Sequence, residues 1–404
     1  MTRPVPMTRP VRGDLRGAPA GRVAAVAAAL VVALGTLVVV LSARGDHAVR
    51  VSMHDGAAWL VSSKVGQAAL VDGSSAQVVT QVPVAADGAD LSSAQAGNDA
   101  FVADGATGSL VRVDGATYDV SQPARFARPG QRLLVFPGSP DLFTFAEGSG
   151  LVTTADIRSL RPRASQALVS RIAPGGGVVD GDGRLWLIEA GSGDLVWLER
   201  DKVGRRAAAV DPDGSRLVVA AGQAAVVDGT SVRLLGVDGS LGSATCLGES
   251  AGDDTAVVTG SPATSRLYTV SGRGVLLVSD LTRRTCDAAV DLGAGGHELG
   301  PPREAAGRVF VPDFTTGEVH VVDLTRPQDV PHVKVLRPHT RFELVPNGSF
   351  MFFNDPASEL AGVVRLNGSA VPIRKYDPRK PDAGIIQDAG SQGDGPGGGP
   401  GEGG

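Results

Sequence analysis

A unit of about 42 residues recurs through most of the chain, and this repeat limits the possible folds more than any other feature. Each copy has an apolar run, a Gly-containing turn, a second apolar run, and an acid or amide at the next turn. Clear copies are AWLVSSKVGQAALVDG from Ala58 and RVFVPDFTTGEVHVVDL from Arg308. The closing residues are Asp72, Asp114, Asp156, Glu199, Asp228, Asp280, Asp323 and Asn367. Five of their seven spacings are 42 to 44 residues, and the unequal steps of 29 and 52 around Asp228 sum to 81, close to two periods.

The apolar runs of each copy have the length and composition of short β-strands. They hold four to seven residues rich in Val and Leu, and Asp-Gly or Asn-Gly pairs favour tight hairpins between them. Three or four antiparallel strands per repeat make one propeller blade, whereas a parallel solenoid needs a shorter repeat or a helix in each repeat. The sequence predicts an all-β β-propeller of eight four-stranded blades over residues 51–376. Seven blades is the alternative, because the first and last repeats would then merge into one closing blade.

The repeat also carries a family resemblance. In the copies from Arg184 and Arg308, one strand ends in a small acidic turn, and in the copy from Arg308 the next strand has the pattern G-x-V-x-V-x-D at Gly317 to Asp323. These copies resemble blades of the β-propeller superfamily with YVTN, NHL and quinoprotein-like repeats. The resemblance implies the fold from Val51 to Tyr376 and says little about function. Since a tryptophan docking motif does not recur in every blade, it implies no quinone cofactor.

The N-terminus carries the localisation signal. Residues 1–22 contain five arginines and one acid, and residues 23–43 are 21 residues without a charge. A helix of that length spans the roughly 30 Å hydrocarbon core of a bilayer, and the arginine excess before it places that side in the cytoplasm. We expect a basic cytoplasmic arm (1–22), a transmembrane signal anchor (23–43), a juxtamembrane linker (44–50) and an extracellular propeller. A cleaved signal peptide and a buried helix are the alternatives, although a cleaved signal has a shorter apolar region.

The composition of the C-terminal residues and the excess of arginine over lysine each support a further prediction. Residues 377–404 are mainly Gly, Pro, Asp and Gln, which predicts a disordered tail without a core. The chain has 33 arginines and five lysines, as is typical of a GC-rich actinobacterial genome. Together with the anchor, this predicts an envelope protein of an actinobacterium.

Two cysteines, Cys246 and Cys286, form a possible disulfide outside the membrane. Closing a 40-residue loop would stabilise the fold by about 4 kcal/mol in the chain-entropy account. They lie about one repeat apart, so equivalent places in neighbouring blades would hold their Cα atoms too far apart to bridge. The sequence leaves both possibilities open.

The polar residues offer candidate sites with simpler structural explanations. The repeated acids would form a carboxylate ring for cations at a propeller mouth, but their Asp-Gly context favours hairpin caps. His297, His320, His332 and His339 fall in the last quarter without a spacing that shows convergence. Two arginine-rich stretches, at 158–163 and 283–284, fit solvated loops better than a partner site. The sequence therefore assigns no catalytic residue, no cofactor and no metal ligand.

These features favour binding over catalysis. The net charge of −5 provides no basic field for nucleic acid, and an aromatic content of 4% argues against aromatic platforms for sugars or bases. We expect a binding or scaffolding module at the cell envelope, whose partner is an unknown envelope protein or a small polar ligand. The alternative is a metal-dependent, lactonase-like hydrolase or lyase. An enzyme would converge three or more acids, amides or histidines in the central channel, whereas a binding module would line it with small and aliphatic residues.

Overall fold

The computed structural model describes residues 56–247, 256–283, 285–326 and 330–381. The predicted cytoplasmic arm, anchor and linker lie outside the described residues, as does the tail after Pro381. In the described part of the chain, no helix is both long and apolar enough to cross a membrane.

Eight antiparallel sheets follow one another along the chain, and each is built from consecutive strands. The first four blades contain β1 (Ala57–Ser62), β2 (Gln67–Asp72), β3 (Gln77–Pro83); β4 (Leu91–Ala96), β5 (Asp99–Asp104), β6 (Ser109–Val113), β7 (Ala124–Arg125); β8 (Leu133–Pro137), β9 (Asp141–Ala146), β10 (Leu151–Asp156), β11 (Pro162–Ala167); β12 (Ile172–Val179), β13 (Leu185–Glu189), β14 (Leu195–Glu199) and β15 (Lys202–Arg206). A 3₁₀ turn at Ser63–Val65 links β1 to β2.

The second half of the ring has the same order of elements. Its blades contain β16 (Ser215–Ala220), β17 (Gln223–Asp228), β18 (Ser231–Leu234), β19 (Thr245–Cys246); β20 (Val257–Gly260), β21 (Arg266–Val270), β22 (Val275–Asp280), β23 (Thr285–Asp291); β24 (Arg303–Ala305), β25 (Arg308–Asp313), β26 (Glu318–Asp323), β27 (His332–Lys334); β28 (Glu343–Asn347), β29 (Phe350–Asn354), β30 (Leu360–Val364) and β31 (Ala370–Arg374). Seven sheets have four strands, and blade 1 has three among the described residues.

The ring closes between two separate sheets. Among the described residues, blade 8 consists of β28 to β31 and blade 1 of β1 to β3, and β1 packs against β28 and β29. The first strands of successive blades meet each other, which places them nearest the ring axis. The predicted all-β, eight-bladed propeller is confirmed, and the seven-bladed alternative with a shared closing blade is wrong.

The core consists of layers between blades. Eight buried apolar clusters each join two consecutive blades, and the eighth joins blade 8 to blade 1. Because neighbours cover both faces of a blade, its central strands are buried along their length: all six residues of β1 and five of six in β25 are buried. This two-sided burial explains why the repeats contain continuous apolar runs rather than strict alternation.

The glycine of the repeat recurs for a steric reason, at the hairpin just before the last two strands of a blade pair up. In six blades this residue has a left-handed φ of 57° to 75°, and an added Cβ would lie 2.0 to 2.5 Å from backbone atoms of the segment that follows the blade's last strand. These residues are Gly66, Gly108, Gly150, Gly193, Gly274 and Gly317. The Gly317 carbonyl accepts hydrogen bonds from the Val335 and Leu336 amides. A side chain at these positions would therefore separate the hairpin from the outer edge of its blade.

Blade 5 departs from the predicted alignment. Asp228 ends β17, the second strand of its sheet, whereas Asp156, Asp280 and Asp323 each end a third strand. The equivalent acid is Asp238, which follows the third strand β18 and accepts the Ser240 amide at 3.0 Å. With Asp238 the steps of 29 and 52 become 39 and 42. The assignment of Asp228 to the repeat position is therefore wrong, because two hairpins with similar apolar runs follow one another in this blade.

Candidate functional site

The repeated acids cap hairpin turns, as their sequence context predicts. Asp72, Asp114, Asp280 and Asp323 each accept a backbone amide two or three residues ahead, at 2.8 to 3.1 Å. Asp156 does the same with Ser159 at 2.9 Å. Hydrogen bonds from the Ser159 amide and hydroxyl lower the pKa of Asp156 to about 2. These five carboxylates cap turns between blade strands, and for them the interpretation as turn caps is confirmed.

In the two arginine-rich stretches, the described arginines either lie near acidic side chains or are exposed on loops. In the stretch at 158–163, Arg163 reaches Asp141 and Asp156, each at 2.5 Å, while Arg158 and Arg161 are exposed. In the second stretch, Arg283 approaches Asp280 at 3.7 Å, and Arg284 lies outside the described residues. The interpretation as loop charges holds for the described arginines, apart from the structural bridge that Arg163 adds.

Three of the four candidate histidines lie close together, which the sequence did not predict. His297 Nδ1 is 2.6 Å from Oδ2 of the buried Asp313, and His320 Nε2 is 3.5 Å from the same oxygen. His320 pairs with His332 in the β26–β27 register, and their ring centroids are 5.8 Å apart. Only the exposed His339 stands apart from this group in the described structure. The expectation of scattered histidines is therefore wrong for these three, because His297 and His320 approach one carboxylate and His332 lies beside His320.

The charges of this group follow from burial and hydrogen bonding. Burial alone would raise the pKa of Asp313, but hydrogen bonds from His297 and the Thr316 amide outweigh it, so the pKa is lowered. Burial lowers the pKa of His320 and favours its neutral form. Among the described residues, no group of three or more His, Cys, Asp or Glu side chains is arranged to hold a metal ion.

The side chains of Cys246 and Cys286 lie outside the described residues, so their disulfide stays a prediction. Their strands, β19 and β23, are the last strands of blades 5 and 6 and lie next to each other. Peptide mass mapping without reduction would show one cross-linked pair if the bond forms, and two separate cysteine peptides if it does not.

The central channel contains two cavities between first strands of the blades. One of about 450 Å³ lies against blades 2, 3 and 4, and its lining includes Ser93, Phe136 and Gly175 to Gly177. The Gly-rich segment belongs to β12, where a Cβ on Gly177 would lie 2.8 Å from the Phe136 ring. The other cavity, of about 410 Å³, lies against blades 2, 7 and 8 and also includes Ser93. Most of both linings is small or aliphatic, as expected for a binding module.

The inner edge of blade 1 borders this region and is closed by side chains. Strand β1 pairs only with β2 among the described strands. Gln95 of blade 2 accepts from the Trp59 amide at 3.2 Å and donates to the Trp59 carbonyl at 2.9 Å. From blade 8, Asn347 donates to the Ala57 carbonyl at 2.6 Å. These side-chain amides satisfy backbone groups along the edge of β1 that is not paired with β2.

Lys375 completes the closure from the blade 8 side. Its side chain is 1% exposed, and Nζ donates to the Val61 carbonyl at 3.0 Å, to Asn354 Oδ1 at 2.5 Å and to the Asp355 carbonyl at 2.8 Å. Burial lowers the pKa of Lys375 to about 7, although Asp355 and Glu343 act in the opposite direction. The amine therefore links the two ends of the propeller through one hydrogen bond to blade 1, while its other two hydrogen bonds fix it within blade 8.

The 410 Å³ cavity contains two opposite charges on neighbouring first strands, Arg303 of β24 and Glu343 of β28. Arg303 is solvent-accessible, yet protein surrounds it inside the ring and this desolvation lowers its pKa, against the attraction of Glu343. Asn354 Nδ2 donates to Glu343 at 3.2 Å. The sequence interpretation missed this pair. The available signal was a charged residue in a first strand, because the first strands of blades 2 to 4 contain no charged residue.

Comparison with known proteins shows the fold alone. No protein family model matches the sequence, and no curated protein is similar to it in sequence. The dihydro-heme d1 dehydrogenase NirN, in complex with DHE, is similar in structure with a TM-score of 0.60 and 12% identity, over 80% of this chain and 74% of that one. Apo AztD from Citrobacter koseri has a TM-score of 0.57 and 12% identity, over 78% and 93%. BamB from Moraxella catarrhalis has a TM-score of 0.48 and 12% identity, over 74% and 88%.

Proposed function

We propose that this protein is a binding or scaffolding module of the cell envelope that holds a ligand or partner group in its central channel. The observation that carries the proposal is the 410 Å³ cavity, which places Arg303 and Glu343 among mostly apolar residues. Its size falls within the range of about 300–1,000 Å³ that is usual for small-molecule sites. A cavity that combines apolar walls with charged and polar groups fixes the orientation of a ligand without needing catalytic groups.

The envelope placement rests on the sequence. We propose that residues 23–43 anchor an actinobacterial protein in the membrane, with the propeller outside and related to the YVTN, NHL and quinoprotein-like repeats. The uncharged length of this segment and the arginine excess before it support the orientation. Protease treatment of intact cells should degrade the propeller. Full protection, with degradation only after lysis, would contradict the external placement.

The channel proposal is tested by native mass spectrometry of the chain recovered from its own membranes. Wild type should retain a bound species that Ser93→Trp removes, because a large side chain at Ser93 fills space shared by both cavities. Gln122→Trp is the matched control, since Gln122 is exposed and lines neither cavity. Spectra that are the same for wild type and Ser93→Trp would contradict a ligand in the channel.

One observation favours the hydrolase or lyase alternative, namely the pair of His297 and Asp313. A buried carboxylate that orients a half-exposed histidine is an arrangement used for general bases. Turnover of a lactone panel, lost in His297→Gln and dependent on added divalent metal, would establish that alternative. The binding proposal predicts no turnover with or without metal.

A further inference from the structure

Arg303 differs in its partners from a group of four arginines that form double ion pairs in the ring. Four arginines each bridge two carboxylates at 2.5 to 3.3 Å, and they are Arg112, Arg163, Arg184 and Arg205. In the described structure, the Arg303 side chain has neither an ion pair nor a hydrogen bond, and Glu343 acts on it only through its charge. The four paired arginines stabilise their blades, whereas Arg303 leaves its guanidinium donors open to the cavity.

An open guanidinium inside a protein ring favours an anionic ligand. Removing a charge from bulk water without pairing it is unfavourable, and a carboxylate that accepts two parallel N–H bonds compensates for that loss. The planar fork of Arg303 suits this geometry better than a lysine ammonium would. The cavity therefore has one end at which a carboxylate gains charge-assisted hydrogen bonds.

Glu343 determines which second charge a ligand in this cavity should carry. It is exposed to the cavity, and the amide of the buried Asn354 occupies part of its hydrogen-bonding capacity. Its negative charge disfavours a dianion such as a phosphate monoester beside Arg303 and favours a ligand with a cationic group. The same lining also includes apolar groups of Pro301, Val345 and Pro346.

We propose that this cavity binds a small zwitterion with an apolar body, the chemical class of the apolar amino acids, with its carboxylate at Arg303 and its ammonium group at Glu343. This assignment rests on the proposed function, because it names the ligand class of the same channel. The carboxylate accepts the guanidinium donors, the ammonium group donates to Glu343, and the side chain packs on the prolines and Val345.

The test is isothermal titration of the purified full chain with leucine, N-acetyl-leucine and leucinamide. Wild type should bind leucine, and both blocked analogues should bind at least about tenfold more weakly, since each lacks one charged contact. Arg303→Gln should weaken leucine binding at least about tenfold, and Arg303→Lys should restore it only in part. Glu343→Gln should weaken leucine but leave N-acetyl-leucine unchanged. Arg365→Gln, which removes an exposed arginine of blade 8, is the control and should bind like wild type.

Three outcomes would overturn the assignment. They are no binding of leucine to wild type, equal binding to wild type and Arg303→Gln, and tighter binding of N-acetyl-leucine than of leucine. The third would assign the cavity to the carboxylate end of a peptide. If native mass spectrometry still shows a species that Ser93→Trp removes, only the zwitterion assignment fails. If that species is also missing, the channel function fails with it.

Discussion

The outer hairpins and the inner strands of this propeller differ in how far they follow the repeat. In the outer part of the blades the same devices recur, with a left-handed glycine in the central hairpin and an acid that caps the next turn. The first strands share neither device, as LSSAQA of β4, IAPGGGVV of β12 and the Arg303 strand β24 show. Repeated positions therefore maintain the fold, and the non-repeated channel positions are free to determine what binds.

The ring closure should give the largest effect on stability. Lys375 has its pKa lowered to about 7 by burial, against 10.5 in an unfolded chain. Between these values the unfolded chain binds a proton that the folded chain releases, so the free energy of unfolding should rise with pH by at most about 1.4 kcal/mol per unit, or about 5 kcal/mol in all. Below pH 7 both states are protonated and this slope disappears.

Urea titrations from pH 6 to pH 10 would measure this dependence. Lys375→Met removes the titrating amine and should show a flatter profile, while other groups that titrate in this range cancel between the two proteins. Parallel profiles for wild type and Lys375→Met would show that the amine is not held desolvated at the closure.

The next effect concerns the repeated glycine. Gly317→Ala places a Cβ 2.5 Å from the Leu336 carbonyl oxygen at a φ of 75°, and it should destabilise the fold by about 3 kcal/mol. Gly307→Ala is the matched control, because Gly307 has a φ of 74° and nothing within 4 Å of the added carbon. That control should lose only about 1 kcal/mol through backbone strain. Equal losses in thermal unfolding would show that the close approach to the outer segment is unimportant.

Removing a turn cap should lower the free energy of unfolding less than the changes at the ring closure and at the repeated glycine. Asp114 accepts the amides of Ala116 and Thr117 and pairs with Arg112, so Asp114→Ala should destabilise by about 1.5 kcal/mol. Asp114→Asn keeps an acceptor for the amides and should lose less than half of that. If Asn is as destabilising as Ala in chemical denaturation, the ion pair with Arg112, rather than the turn cap, provides the stabilisation.

Arg303 should give the smallest change in stability. Because its charge is desolvated and unpaired among the described residues, Arg303→Gln should leave the melting temperature unchanged or raise it slightly. Arg184→Gln breaks two ion pairs of a buried guanidinium and should lower the melting temperature. A fall for Arg303→Gln as large as that for Arg184→Gln would place Arg303 with the structural arginines.

The repeat made the fold predictable from the sequence, because two-sided burial and turn chemistry act again in every blade. In blade 5 the sequence pattern does not identify the closing acid of the repeat, because Asp228-Gly229 and Asp238-Gly239 both follow apolar runs. Only strand pairing shows which turn ends the third strand. The histidine group around Asp313 depends on the register of β26 with β27 and on the loop before β24, neither of which a spacing reveals. Arg303 and Glu343 are 40 residues apart and meet only because their blades are adjacent in the ring.

The central claim is that repeated positions maintain the fold while channel positions determine what binds. It is tested most directly by native mass spectrometry of membrane-derived protein, in which wild type, Arg303→Gln and Arg365→Gln are compared at equal folded fraction. The division of roles predicts a bound species in wild type and Arg365→Gln that is absent from Arg303→Gln. Retention of the same species by all three proteins would contradict it.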